Sequence, residues 1–449
     1  MVDHPSYQTA PTDVHEVLRQ WILADGLPLV YDAARSHDAF VVDARTGQEY
    51  LDLFSFFASM PIGHNHAGLC DTAFLARLQQ AALVKPSNSD VYTPAMADFV
   101  RAMGRTMPQA FSHLFFIEGG ALAVENALKV AFDWKVRRNI AKGRIGPDAG
   151  DDPQLGTRVV HFQMAFHGRS GYTLSLTNGF SPAKTQYFPK FDWPRVSTPG
   201  RRFPDTPQNI AATEAAEAQS LAEIKKAFAD HPDEIAAIII ETIQGEGGDQ
   251  HFRPEFFAQL RELCDTEEAL LIFDEVQAGM GITGRWWAFE HMGIAPDVFS
   301  FGKKAQVCGL GSTTRVDEVD SVFKVSSRIN STWGGNLVDM VRCQRYIEII
   351  EQYDLLTNAT EVGGYLLEQL RGLEDTYPHV SAARGRGLMC AFDLPTPEAR
   401  DQALQLVSEQ HVMILPAGAR SLRFRPVLDF SRDHVDLAIT RIKAALDKM

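Results

Sequence analysis

Two short apolar runs that end in charge constrain this chain more than any other feature. LLIF, at 270–273, stops at Asp274 and Glu275, and FSFG, at 299–302, stops at Lys303 and Lys304. Unbroken apolar runs of this length read as strands buried on both faces of a parallel sheet. Such sheets bind ligands in the crevice outside the carboxyl ends of their strands. An acid and an amine would then face one crevice, which suits a ligand carrying a basic ring nitrogen and an aldehyde. Spacing alone leaves Lys303 and Lys304 both open as the reacting amine.

The flanking sequence extends the layer. Strands are predicted at Arg158–Phe162 and Ile235–Glu241, and helices at 94–107, 208–230 and 254–264. Short apolar strands alternating with helices indicate an α/β fold. HLFFI, at 113–117, leads through Gly119 and Gly120 into a helix from Ala121. A strand, a glycine turn and a helix N-terminus present free N–H groups to an anion. Many such turns bind nothing, so this signal needs support.

Upstream, 12–24 read as an amphipathic helix capped by Thr12 or Asp13, and 39–54 as a hairpin turning at 43–47. SFFASMPIG follows, with Phe56, Phe57 and Met60 as either a buried connector or a pocket wall. The Gly-, Pro- and Asp-rich 141–157 read as a solvent loop, and 195–207 as irregular. Beyond the polar link at 327–336, helices at 337–350, 361–377 and 397–410, with RGRGLMCAFDL and SLRFRPVL, suggest a small α+β lobe. The expected division is an N-terminal segment joining the small domain (1–65), a large domain (66–335) and a C-terminal small domain (336–449).

The formal net charge of -14 argues against nucleic acid and anionic membranes as partners. The 5 cysteines are dispersed without metal or disulfide spacing, which suits a reducing, cytoplasmic setting and predicts no metal site. No run approaches the about 18 apolar residues of a membrane span, and the polar N-terminus lacks an apolar signal core.

DEVQ followed by GITGRWW, then FGKK, then STWGGN, resembles the class III (omega) aminotransferases over nearly the whole chain. These are pyridoxal-phosphate enzymes of fold-type I. The resemblance implies a mostly parallel seven-stranded sheet in the large domain and a small α+β domain. It implies that Asp274 pairs with the pyridine nitrogen and Gln277 with the ring hydroxyl. Val276 and Phe166 would cover the two ring faces. Lys303, the first lysine after the glycine, would form the Schiff base and shuttle the proton. Gly120 and Ala121 would take the phosphate on their backbone, helped by Thr332 of a neighbouring subunit in an obligate homodimer. Ala121 stands where the family commonly has Ser or Thr, so one side-chain contact to the phosphate would be absent.

QGEGGDQHFRPEFF and FGKKAQVCG are most similar to family members that act on the ε-amino group of L-lysine. The implied reaction moves that group to 2-oxoglutarate by a ping-pong route, giving 2-amino-6-oxohexanoate and L-glutamate. Arg169 would hold the carboxylate far from the reacting amine. Arg423, with Arg425 as its nearby competitor, would hold the α-carboxylate of 2-oxoglutarate. Glu246 would pair with Arg423 and cover it while the amino donor binds, because an unpaired buried arginine is costly. Asn330 and 56–63 are the candidates for the substrate's remaining polar end. The competing readings are a 4-aminobutyrate or ornithine aminotransferase and, more remotely, a catalytically silent binding protein of the same fold.

Overall fold

The computed structural model describes residues 9–147 and 155–449. The first residues of the polar N-terminus and the middle of the 141–157 stretch expected as a loop lie outside the described residues. The main sheet comprises β1 (Phe111–Ile117), β2 (Arg158–Phe162), β3 (Arg195–Val196), β4 (Ile235–Glu241), β5 (Leu270–Asp274), β6 (Val298–Phe301) and β7 (Cys308–Thr313). Its spatial order is β1-β7-β6-β5-β4-β2-β3. β7 runs antiparallel to both of its neighbours, and the other pairings are parallel. This is the mostly parallel seven-stranded sheet of a fold-type I enzyme.

Alternation along each strand sorts side chains onto two faces. Ile238, Ile240, Leu271 and Phe273 share a core with Phe256, Phe257 and Leu260 of the Pro254–Thr266 helix. Ala237, Ile239, Leu270 and Ile272 share another with Val124, Ala127, Leu128 and Ala131 of the Gly120–Ala141 helix. Both faces are covered, which is why these strands carry no polar interruption until their ends. The register pairs Glu241 with Asp274 and Asp274 with Ser300. By parity all three continue the face that packs on the Gly120–Ala141 helix. Polar groups from three adjacent strands therefore end in one row.

Two smaller sheets complete the chain. One is antiparallel, ordered Ser381–Arg386, Met389–Asp393, Ser421–Phe424 and Leu415–Ala417. In the other, the Phe40–Val42 and Glu49–Asp52 hairpin takes Val412–Met413 as a parallel third strand, with Leu51 opposite Val412. Leu51 and Leu53 join the same core as Leu366, Leu422, Phe424 and Ile442. The hairpin is thus stitched to the C-terminal chain.

Three local readings change. Within 12–24 the structure has only a 3-10 turn, Pro11–Asp13, and a short helix, Val14–Arg19, whose N-cap Asp13 makes no capping bond. Neither element buries a residue, and a helix this short is marginal without packing. The 195–207 stretch read as irregular contains β3, an edge strand of two residues and too short for a pattern. The helix expected from 361 begins at Leu355, behind Asp354 in the left-handed conformation.

A fourth feature carries strain. Ser55, Phe56, Phe57 and Ala58 have φ of 41°, 51°, 61° and 66°. Crowding of Cβ against the following carbonyl costs about 1–2 kcal/mol for each such residue.

GRWW places Trp287 against the sheet. Its ring lies 4.6 Å from that of Phe299, and its indole N–H donates to the Thr106 carbonyl at 2.8 Å. Trp287→Ala empties that site and orphans the carbonyl. It should cost about 3–5 kcal/mol, read as a lowered thermal midpoint, whereas Trp287→Phe should retain most of the packing.

Candidate active site

The row of strand ends is the floor of the site. The Asp274 carboxylate accepts from His167 Nδ1 at 2.8 Å, from Ser300 Oγ at 3.2 Å and from the Val276 N–H at 3.0 Å. Burial works against a charged His167, but the bond to Asp274 and its charge prevail and raise its pKa. Beside Asp274, Glu241 accepts from the N–H groups of Phe166 at 2.9 Å and Gly245 at 3.1 Å. Burial pushes its carboxyl up to about 7, with His167 opposing and Asp274 adding to the shift. The sequence assigns no role to His167, in the AFHGRSG loop, or to Glu241. Parity and register would have placed Glu241 once the pairing of β4 with β5 was known.

The two lysines diverge. Lys303 adopts φ 48°, a left-handed conformation held between Gly302 and the turn that follows, and its side chain lines the cavity. Burial, and then the Arg423 guanidinium, bring its amine down to about 8. Lys304 turns away from the cavity and is only 1% exposed. Its Nζ donates to the carbonyls of Ala58 at 3.1 Å and Met60 at 3.2 Å.

The start of the Gly120–Ala141 helix forms one wall. Its N-cap, Gly119, has φ 98°, a conformation glycine tolerates without strain. A Cβ on Gly120 would sit 2.8 Å from Val276 Cγ1, so only glycine lets the helix approach β5 this closely. The first intrahelical bond runs from the Ala123 N–H to the Gly119 carbonyl, so the N–H groups before Ala123 are left for a ligand. Ala121 offers no hydroxyl there. Gly168 packs so closely on it that a Cβ at 168 would lie 2.4 Å from Ala121 Cβ.

The cavity is about 850 Å³. Gly120, Ala121, Phe166, Arg169, Glu246, Asp274, Val276, Gln277, Lys303 and Arg423 all line it. So do Phe57, Lys184, Leu415 and Arg400, which come from four different parts of the chain.

The arginines are distinguished by their partners. Arg425 is fully buried and bound to Asp249, with Nη1 2.9 Å from Oδ2. That pairing removes it as a competitor for a substrate carboxylate. Arg423 is 6% exposed and donates only to Gln277 Oε1, at 3.3 Å, while its Nε has no acceptor among the described residues. Burial, followed by repulsion from Arg425, brings its pKa down to about 10. Arg169 is exposed at the cavity mouth and forms no hydrogen bond or ion pair among the described residues.

The expected Glu246–Arg423 ion pair is absent from this structure. Glu246 pairs instead with Lys184, whose turn, Pro182–Lys184, sits over the cavity wall. Gln277 takes the facing side of Arg423. Lys184 gave no signal in the sequence, because it lies in an irregular segment far along the chain from Glu246. Asn330 and Thr332 are exposed and do not line this cavity. The Thr332 carbonyl accepts from Ser87 Oγ at 2.6 Å, and Asn330 Oδ1 accepts from the Ser331 N–H at 2.8 Å.

A family model for class-III aminotransferases matches residues 23–446. The chain belongs to the class III aminotransferases. It is 53% identical to the L-lysine-epsilon aminotransferase of Mycobacterium tuberculosis, covering 98% of this chain and 96% of that one. A solved structure of lysine aminotransferase from that organism, in its internal aldimine form, superposes with a TM-score of 0.94, covering 98% of this chain and 100% of that one, again at 53% identity. Human mitochondrial 4-aminobutyrate aminotransferase is 32% identical, covering 90% of this chain and 81% of its own length.

This aminotransferase therefore uses pyridoxal 5′-phosphate, and the cavity fits it. The helix start supplies free N–H groups, and Gly120 leaves no side chain in their way. Asp274 offers a buried acceptor, Lys303 an amine, and Val276 and Phe166 apolar surface in the same cavity. Among the described residues, no helix is long and apolar enough to cross a membrane.

Glu241 is protonated more readily in the folded protein than in the unfolded chain. Its contribution is complete below the unfolded carboxyl pKa, about 4.3, and is lost as pH rises through about 7. Glu241→Gln should remove that dependence. The thermal midpoint of the variant should gain on the wild type as pH is raised through this window.

Proposed function

We propose that the enzyme transfers the ε-amino group of L-lysine to 2-oxoglutarate, giving 2-amino-6-oxohexanoate and L-glutamate. The observation that carries this is the nearly full-length similarity to an enzyme named for lysine, well above that to the 4-aminobutyrate enzyme. When bound, pyridoxal phosphate supplies an aldehyde that takes up the amine and a ring that accepts electrons from the reacting carbon.

The roles of the side chains follow from their surroundings. Asp274, oriented by His167 and Ser300, would hold the ring nitrogen in its protonated form through a charge-assisted bond. Lys303 Nζ, with its depressed pKa, is poised to release and accept a proton near neutrality and would serve as the base and acid beside the reacting carbon of the substrate. Phe166 and Val276 would exclude water from the ring faces, and Gln277 would bond the ring hydroxyl. The N–H groups at Gly120 and Ala121 would hold the phosphate.

Arg169 receives the carboxylate far from the reacting amine. Arg423, without a carboxylate partner among the described residues, receives the α-carboxylate of 2-oxoglutarate with the fork geometry a guanidinium provides. Glu246 moves between Lys184 and Arg423, so that Arg423 is covered when lysine binds and open when 2-oxoglutarate binds. The exposed loop carrying Asn330 and Thr332 serves the cavity of a second copy, making the enzyme a homodimer with shared sites. The domain division at 65 and 335 and a cytoplasmic setting belong to the same reading.

With 2-oxoglutarate as acceptor, kcat/KM for lysine should exceed that for ornithine and 4-aminobutyrate by about tenfold or more. A panel in which 4-aminobutyrate leads would overturn the lysine assignment. Lys303→Ala should lower turnover by about a thousandfold or more and abolish the borohydride-reducible cofactor linkage. A normal linkage in that variant would move the role to Lys304.

A further inference from the structure

The second lysine of the pair has a place in the fold that its neighbour's chemistry does not explain. Its amine is buried, and among the described residues it forms no ion pair with a carboxylate. Its two acceptors, the carbonyls of Ala58 and Met60, lie at the end of the left-handed turn Ser55–Ala58. Carbonyls leaving such a turn have no following helix to satisfy them, and a buried carbonyl needs a donor.

The opposite end of the turn is held by opposite charge. Asp52 Oδ1 accepts from the N–H groups of Phe54 at 2.8 Å and Ser55 at 2.7 Å. Gln306 Nε2 donates to the Ser59 carbonyl at 2.7 Å, and Ser55 Oγ donates to the Arg425 carbonyl at 2.5 Å. A carboxylate at the N–H end and an amine at the carbonyl end repeat the capping logic of an ordinary helix in a turn of the other hand. The turn would not persist on local preference, because none of its residues is glycine. It survives because its surroundings hold it.

The turn places Phe57 on the cavity wall, its ring 4.8 Å from that of Phe54. Lys303 lines the same cavity and is bonded through the backbone to the residue that holds the turn.

We propose that Lys304 is a positioning residue for donor selection: its hydrogen bonds to the Ala58 and Met60 carbonyls hold the left-handed turn so that Phe57 forms part of the wall of the amino-donor pocket. Displacing that wall changes which donor fits and leaves proton transfer at Lys303 in place. The inference rests on reading the cavity as an amino-donor site, and the wild-type donor panel tests that reading by itself.

The test compares wild-type holoenzyme with Lys304→Met, Phe57→Ala and the double variant, using lysine and 4-aminobutyrate as donors. Lys304→Met should keep its borohydride-fixed cofactor on Lys303 by peptide mass. Its KM for lysine should rise about tenfold with kcat within about threefold, and the lysine to 4-aminobutyrate ratio of kcat/KM should fall about tenfold. Phe57→Ala should lower the ratio similarly, and the double variant should add little, since both changes act on one wall. A ratio unchanged in Lys304→Met, additive losses in the double variant, or cofactor fixed on Lys304 would each overturn the proposal. Lys304→Gln, whose amide keeps a donor, serves if Lys304→Met does not fold. It should give an intermediate ratio, and an unchanged one there overturns the proposal as well.

Discussion

The parallel register across β4, β5 and β6 is the constraint on which the rest of the structure depends. Hydrogen bonding brings Glu241, Asp274 and Ser300 level at the same end of the sheet. Strand alternation turns all three toward the face covered by the Gly120–Ala141 helix. A one-residue slip of β5 would send Asp274 to the opposite face and bring Glu275 forward. Glu275 has its own use there, accepting from the N–H groups of Ala288 at 2.7 Å and Phe289 at 2.8 Å. Burial pushes it up to about 8, a group suited to holding a turn and poorly suited to stabilising a cation.

Cations gather around this row, and their partners sort them. Asp249 neutralises Arg425, Glu246 takes Lys184, and backbone carbonyls take Lys304. Among the described residues, Arg423 and Lys303, like Arg169 at the mouth, face the cavity without a carboxylate partner. Burial lowers the pKa of both, with repulsion from Arg423 adding at Lys303 and repulsion from Arg425 adding at Arg423. An anionic ligand relieves that repulsion, so the same unbalanced charge that costs stability favours carboxylate and phosphate binding.

Much of this was legible in the chain. The strand ends of LLIFDE and FSFGKK, the glycine turn before Ala121 and the hairpin at 39–54 all follow from local pattern. Each is fixed by a few neighbouring residues, so periodicity and turn chemistry suffice. Partnerships over long separations were not legible. His167 meets Asp274 across 107 residues and Lys184 meets Glu246 across 62. No periodicity reaches that far. Glu246, expected on Arg423 while the amino donor binds, lies on Lys184 in this structure, because charge complementarity names possible partners without ranking them. β3 is not legible because two residues carry no pattern, and the helix within 12–24 is shorter than its pattern predicts because its apolar side chains find little to pack against.

The sequence by itself determined the α/β layer, the acid and the amine at the strand ends, and the helix start that faces them. These depend on alternation and on glycine, which act within a few bonds. Local pattern leaves Lys303 and Lys304 equivalent, and the tertiary structure gives them different surroundings. The two are identical side chains at adjacent positions, and their difference lies in what surrounds each: an open cavity for one, and two carbonyls of a left-handed turn for the other. That turn lies about 245 residues earlier in the chain. The hairpin that leads into the turn is paired with Val412–Met413, so the carbonyls that reach Lys304 come from chain held by residues far apart in sequence.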